Sequence, residues 1–379
     1  MSQMPPAGER AFLVGPVTLY PSIALRDVGF DSNIRNDANV EKQDFTLTAQ
    51  PRLRAAMPFG SALVTGSASV GFVYYATYKE EQSINRLFEG RLEWLPSRFR
   101  PFLAASLNHT RERAQYEIDA RVLRRETGLS GGADLKLTGV TSLIASFTRT
   151  TYHYGDDEVF GGAVLADQLD RTTDVAGADV RYALTPLTTV SIDIELQRDR
   201  FDTVALRDAD SVRVMPGVEF SPDAVVAGHV ALGFRQFTPR ASALAGFRGL
   251  VGSANVSYTL LNATRFSVEA TRDVMYSFEP ATPYYVVTGG RLRLSQRIAG
   301  PYDLIALAGK DRLQYQGVAG LPVSGRVDRI GTIGGGIGFR ISPSLGLALI
   351  YDLTERESNT RDRRAYQRRR LFASATFGQ

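Results

Sequence analysis

Between Val190 and Gln197 the chain alternates without a break: Val190, Ile192, Ile194 and Leu196 are apolar, and Ser191, Asp193, Glu195 and Gln197 are polar. Successive β side chains point to opposite faces, and this rhythm recurs almost from end to end, so it makes a very large antiparallel sheet with one apolar and one polar face. A water-soluble sheet must cover its apolar face with a second layer, whereas a sheet closed into a cylinder in a bilayer leaves that face in lipid. The pattern predicts an all-β fold, a transmembrane antiparallel up-and-down β-barrel. An array of soluble β-sandwiches fits less well, because no Greek-key irregularity or linker interrupts the hairpins.

Composition enters as exclusions. No apolar run approaches the length of a membrane-spanning helix, and a mean hydropathy of -0.13 is what alternation averages to. The 379 residues show no composition shift or Pro/Ser-rich linker, which predicts a short periplasmic segment over 1–16 and a single barrel over 17–379. With no cysteine, disulfide frameworks and thiolate metal sites are excluded. Met1–Arg10 lacks a basic stretch followed by a long apolar run, and Ala11–Val14 is too short to be one. A barrel must cross the inner membrane, so its export signal is expected to have been removed or to precede a start assigned too late.

Turn signals recur at roughly 40-residue intervals, as in repeated hairpins. They are Pro58-Phe59-Gly60, Pro96-Ser97, Thr138-Gly139, Thr185-Pro186, Ser221-Pro222-Asp223, Leu261-Asn262, Ala299-Gly300-Pro301 and Ser342-Pro343-Ser344. Longer charged or Gly-rich segments alternate with them: Asp31–Gln43, Lys79–Gln82, Arg113–Arg124, Gly155–Arg171, Asp202–Ala209, Thr238–Ala245, Phe278–Pro283, Gln316–Gly325 and Glu355–Arg364. Short periplasmic turns and long outer loops mark a bacterial outer-membrane barrel, and this count predicts roughly 18 strands, or about 16 to 20 if one hairpin is merged or split. Aromatic residues cluster at both ends of the strands, where interfacial girdles belong. Phe59, Trp94, Phe99, Phe102, Phe220 and Tyr302 lie near turns; Tyr74, Tyr75, Tyr152, Tyr154, Phe201, Tyr276, Tyr284, Tyr285 and Tyr315 lie near loops. The last strand, Arg370–Phe377, is expected to close the barrel on the first, Val17–Phe30.

That first strand is apolar, holds Pro21, and ends in Gly29-Phe30 followed by Asp31-Ser32-Asn33. It resembles the opening strand of the putative beta-barrel porin 2 family, in which a Gly-aromatic pair and an Asp-(Asp/Ser)-Asn run precede the first outer loop. The matching residues are Pro21, Gly29, Phe30, Asp31, Ser32 and Asn33, and the hairpin rhythm extends the likeness over nearly the whole chain. The resemblance implies a bacterial outer-membrane barrel embedded among lipid and lipopolysaccharide, and a role in exopolysaccharide export.

Barrels of this strand number usually enclose an aqueous lumen lined by the polar face. Parity places Arg52, Arg54, Arg91, Arg181, Arg213, Arg291, Arg293, Arg297 and Arg340 inward. Glu89, Glu93, Asp134, Asp179, Asp193, Glu195, Glu219, Glu269 and Asp273 stand against them. Arginine holds carboxylates bidentately, so Arg291, Arg293 and Arg297 form a candidate constriction for uronate-bearing glycans or small acids. The competing reading is that these charges pair across strands to fill and stiffen the wall.

Catalytic patterns are sparse. The chain has three histidines, His109, His153 and His229, with no HExxH or GxSxG pattern. A rim dyad built on His109 or His153 would be the route to a hydrolase, and a solvated histidine is the alternative. Asp156, Asp157 and Glu158 could hold calcium or be a solvated acidic run. No catalytic residue, metal ligand or cofactor is assigned. Basic residues are dispersed, which excludes nucleic acid. The sequence therefore predicts a passive outer-membrane conduit for an acidic polysaccharide or polar solutes. The alternatives are a general diffusion porin, with Gly155–Arg171 as the longest loop to constrict it, and a non-conducting scaffold barrel serving a periplasmic export partner.

Overall fold

The computed structural model describes residues 11–95, 98–261, 263–318, 325–342, 344–360 and 365–378. Eighteen long strands run antiparallel, each hydrogen-bonded to the next. They are β1 (Val17–Asp31), β2 (Asp44–Phe59), β3 (Ala62–Tyr75), β4 (Ser83–Trp94), β5 (Phe99–Arg113), β6 (Arg121–Lys136), β7 (Thr141–Tyr154), β8 (Arg171–Thr185) and β9 (Thr188–Phe201). The second half continues with β10 (Ala209–Phe220), β11 (Val226–Pro239), β12 (Phe247–Leu260), β13 (Thr264–Tyr276), β14 (Tyr284–Ala299), β15 (Tyr302–Gln316), β16 (Val327–Ser342), β17 (Leu345–Ser358) and β18 (Tyr366–Phe377). β18 pairs with β1 from Ile23↔Phe377 to Asp31↔Arg370 and closes the cylinder, which removes the free edges on which sheets aggregate. A three-residue strand, Phe12–Val14, folds back on β1. No described helix is long and apolar enough to cross a membrane.

Strands of 12 to 16 residues extend about 40–53 Å at 3.3 Å per residue, enough when tilted to cross an apolar band about 25 Å tall. The outer wall follows from parity. Leu103, Leu129, Leu232 and Ile333 are each at least 60% exposed, and cross-strand partners such as Val180↔Ile192 share that face. In lipid this exposure is burial.

Closure depends on one irregularity. β1 shifts register against β18 between Leu25 and Val28, with Asp27 in the left-handed region at φ 55°. Beyond the shift, a Cβ on Gly29 would collide with the Leu371 carbonyl oxygen, so only glycine fits this approach.

The periplasmic turns at Gly60, Thr138-Gly139, Pro186, Ser221–Asp223 and Gly300-Pro301 fall between strands, with Phe59, Thr185 and Ala299 ending the strands before them. Pro96-Ser97, Asn262 and Pro343 lie outside the described residues, as do 319–324 and 361–364 of two outer segments. Strands also reach further outward than the turn spacing implied: Arg121–Arg124 belong to β6, and 355–358 to β17.

The aromatic expectation holds on one side only. Phe59, Trp94, Phe99 and Tyr302 near the turns are exposed on the wall, while Phe102 lies under Arg91. Near the loops only Tyr74 is exposed; Tyr75, Tyr154, Phe201, Tyr284, Tyr285 and Tyr315 are buried. The reason is that the outer loops fold back, so apolar clusters form inside the outer mouth. One contains Ile118, Val122, Tyr154, Leu165, Leu169 and Phe278; another contains Tyr285, Val287, Leu313 and Tyr315.

Candidate functional site

The connection between β5 and β6, residues 114–120, enters the lumen and fastens to strands roughly halfway round the ring. Gln115 accepts a hydrogen bond from the Tyr285 hydroxyl at 3.2 Å. Glu117, fully buried, accepts from Ser277 Oγ at 2.9 Å and the Phe278 amide at 3.2 Å. Asp119 bonds Arg356 and accepts from the Tyr366 hydroxyl at 3.3 Å. Arg356 also bonds Asp328 at 2.6 Å, and Arg326 joins Asp328 at 2.5 Å to Glu279 at 3.0 Å. Buried charges persist only when paired and hydrogen-bonded in this way.

Ile118, between these acids, inserts into the first apolar cluster. A short helix, α1 (Leu165–Leu169), supplies Leu165 and Leu169, which share one face at i and i+4. Arg207, from the 202–208 connection, donates to the carbonyls of Gln168 at 3.1 Å and Ser277. Burial pulls its guanidinium down to about 10. The longest loop is therefore not the one that crosses: 155–170 packs on the shorter 114–120. Asp119 needed Arg356 from β17 and Tyr366 from β18, and Glu117 needed Ser277 and Phe278, which spacing along the chain does not disclose. The turn spacing puts Arg356 in the outer segment Glu355–Arg364, whereas the strand Leu345–Ser358 carries it into the lumen.

Beneath the crossing loop is a chamber of about 290 Å³ lined by Tyr116, His229, Asn255, Glu269, Thr271 and Arg291 among others. Arg291 bonds Asp311 at 3.1 Å, and its guanidinium carbon lies 5.7 Å from the Tyr116 ring centre. Alongside, Arg213 bonds Glu195 at 2.5 Å and Asp273 at 3.4 Å, and Arg235 bonds Asp273 at 2.7 Å.

All nine sequence-selected arginines sit on the strand face opposite the exposed apolar residues. Five have carboxylate partners: besides Arg213 and Arg291, Arg91 meets Glu93 at 3.3 Å, Arg181 meets Asp179 at 2.5 Å, and Arg340 meets Asp303 at 3.5 Å. Arg54 lies 5.8 Å from the Tyr20 ring. Among the described residues, Arg52, Arg293 and Arg297 have no carboxylate partner within ion-pair distance. Arg291, Arg293 and Arg297 run down one strand instead of forming a ring.

The opening-strand residues fasten the closure. Phe30 is 65% exposed on the outer wall, edge-on to Phe45 at 5.5 Å. Asp31 is buried and accepts from Arg368 Nε at 2.9 Å and the Asn33 amide at 3.1 Å. Asn33, fully buried, donates to the carbonyls of Asp37 at 2.8 Å and Gln367 at 3.2 Å. Pro21 is opposite Leu53. His109 faces outward between Arg86 and Arg125, and His153 Nδ1 lies 2.5 Å from Asp170.

The folds of solved porins match this architecture across nearly their whole length. OccK2 (OpdF) from Pseudomonas aeruginosa, solved in complex with glucuronate, superposes at a TM-score of 0.54 with 10% identity, covering 95% of this chain and 98% of that one. OpdK from the same organism gives 0.52 with 11% identity, and a BenF-like porin from Pseudomonas fluorescens Pf-5 gives 0.51 with 12%; both cover 95% of this chain and 98% of theirs. No curated protein matches the sequence. The description putative beta-barrel porin 2 matches residues 5–378. A closed 18-strand cylinder with a lipid-facing wall, matched by that family over nearly its full length, is a porin-like barrel of the bacterial outer membrane, and this chain belongs to the putative beta-barrel porin 2 family.

Proposed function

We propose that this barrel is a loop-gated channel for small polar solutes, with the inward arginines lining the path. The observation that carries this reading is the division of the lumen. Its outer half is packed with loops, while inward-facing Arg52, Arg265, Arg293 and Arg297 lower down are exposed to solvent. The chamber beneath Tyr116, at about 290 Å³, suits a small molecule at the low end of ligand-pocket sizes better than a polymer chain. OccK2 has been solved with glucuronate and OpdK with vanillate, which supports acidic solutes as the first ones to try. Passage would follow the polar wall without chemistry.

Export of an acidic polysaccharide is the second reading, favoured by the arginines that lack carboxylate partners. It needs the crossing loop withdrawn. A scaffold barrel holding a periplasmic export partner is the third, favoured by the packed outer half. Single-channel recording in planar bilayers separates them. Conductance steps blocked by glucuronate support the gated solute channel, and steps blocked only by acidic oligosaccharide favour the export conduit. A folded barrel that stays silent even when the loop anchor is removed by Arg356→Met leaves the scaffold.

A further inference from the structure

β12, β13 and β14 bring three arginines and four hydroxyls together on the inner wall, below the chamber. Register sets Arg265 opposite Thr259 on one side and Ser295 on the other. Ser295 lies between Arg293 and Arg297 on the same face of β14, and Ser267 is opposite both Ser257 and Arg293. This face is opposite to that of Phe266, Val268 and Leu292, which are exposed on the outer wall. Same-face neighbours on adjacent strands stand about 5 Å apart directly and about 7–8 Å apart diagonally, so the three long side chains share one patch.

The patch is rich in donors and poor in acceptors. Arg265 donates to Ser257 Oγ at 3.2 Å, and among the described residues none of the three arginines has a carboxylate partner. Two acids border it. Glu269 is opposite Arg291, one row nearer the chamber; Asp303 is opposite Arg297 but lies 3.5 Å from Arg340. Like charges facing each other across a sheet are unfavourable, whereas converging guanidinium forks and hydroxyls match an oxyanion, which arginine holds bidentately. All three arginines are exposed to the lumen, so the site is open to solvent.

We propose that Arg265, Arg293 and Arg297, with Ser257, Thr259, Ser267 and Ser295, form an oxyanion-binding site that captures a small solute by its carboxylate or phosphate group. The proposal deepens the reading of the lumen as a solute path, but binding here does not require the loops above to open.

Isothermal titration of the detergent-solubilised full chain with glucuronate, glucose 6-phosphate and glucose tests the site. Both acids should bind, glucose should bind at least about tenfold more weakly, and affinity should fall with added salt. The triple variant R265Q/R293Q/R297Q should lose about tenfold or more, while Arg86→Gln on the outer wall should change nothing. The lysine triple, R265K/R293K/R297K, keeps the charge but not the fork, and should bind the acids at intermediate strength. Heat-dependent gel mobility checks that each variant is a closed barrel. Glucose binding as tightly as glucuronate, or undiminished acid binding by a folded glutamine or lysine triple, would overturn the proposal. A preference for one acid over the other identifies the group held. Acid binding by a silent barrel would uphold the site and remove the channel reading; conductance without acid binding would do the reverse.

Discussion

Arg356 on β17 bonds Asp119, which precedes it by 237 residues, inside the outer mouth of the barrel. The pair fastens the crossing loop to the far wall. Arg356→Met would leave Asp328 with Arg326 and Asp119 with only the Tyr366 hydroxyl and the more distant charge of Arg113, a loss of about 3–5 kcal/mol when one partner of a buried pair is removed. The loop should then release. Bilayer recordings are expected to show larger or more frequent conductance steps than the parent, and limited proteolysis should cut within 114–120. Unchanged conductance together with unchanged protection would mean that this pair does not hold the gate.

Gly29→Val should prevent closure. The added side chain would overlap the Leu371 carbonyl oxygen, and backbone cannot yield as a flexible side chain can. Refolded variant is expected to lack the compact, heat-sensitive band on gels that marks a closed barrel. Retention of that band would show that β1 and β18 can separate here at little cost.

The two faces of one strand make opposite predictions. Leu349 is 43% exposed on the outer wall, and neighbouring Ile350 faces the lumen. Leu349→Arg places a charge in hydrocarbon and should cost about 2–4 kcal/mol near the bilayer midplane. Ile350→Arg should cost far less. Reversible urea unfolding in lipid vesicles measures both, and equal losses would contradict the assignment of faces.

Docking of the 155–170 loop should weaken as pH rises. Burial, opposed by the Tyr154 amide at 2.7 Å and by His153 and reinforced by the nearby charge of Asp202, raises the Asp170 carboxyl above its usual range. A group whose folded value is raised stabilises the folded form fully below its unfolded value, and that contribution is lost as pH climbs through the folded one. Hydrogen-exchange protection across 155–170, with the intrinsic pH dependence of amide exchange divided out, should therefore be greatest in acid and fall from just above the ordinary carboxylate range. Asp170→Asn should flatten that dependence. A variant profile that keeps the parent's slope would assign the effect to other groups.

Alternation, turn spacing and loop lengths were legible because each is local. A strand's faces are set by residues two apart, as at Leu292 and Arg293, and a turn by the few residues that make it, as at Ala299-Gly300-Pro301. Even Gly29 could be marked from the opening strand, although its reason, the Leu371 carbonyl, belongs to the other end of the chain. Which loop enters the lumen was not legible. Length pointed to Gly155–Arg171, but the outcome turned on whether Glu117 and Asp119 could find partners for their charge at Ser277, Phe278 and Arg356.

The buried tyrosines make the same division. Tyr284, Tyr285 and Tyr315 stand at strand ends where a girdle belongs, and local rules place them in the interface. Inward-folded loops gave them an apolar core instead. By itself the sequence determined a closed, lipid-facing barrel and the side of the wall on which each charge stands, because a two-residue period leaves one way to hide an apolar face. Only the tertiary structure decided that the outer half is packed with loops while Arg52, Arg265, Arg293 and Arg297 stay exposed below it, and that Arg265 stands opposite Ser295 between Arg293 and Arg297. Those depend on cross-strand register and on long-range ion pairs, whose energies arise only when residues distant in the chain meet.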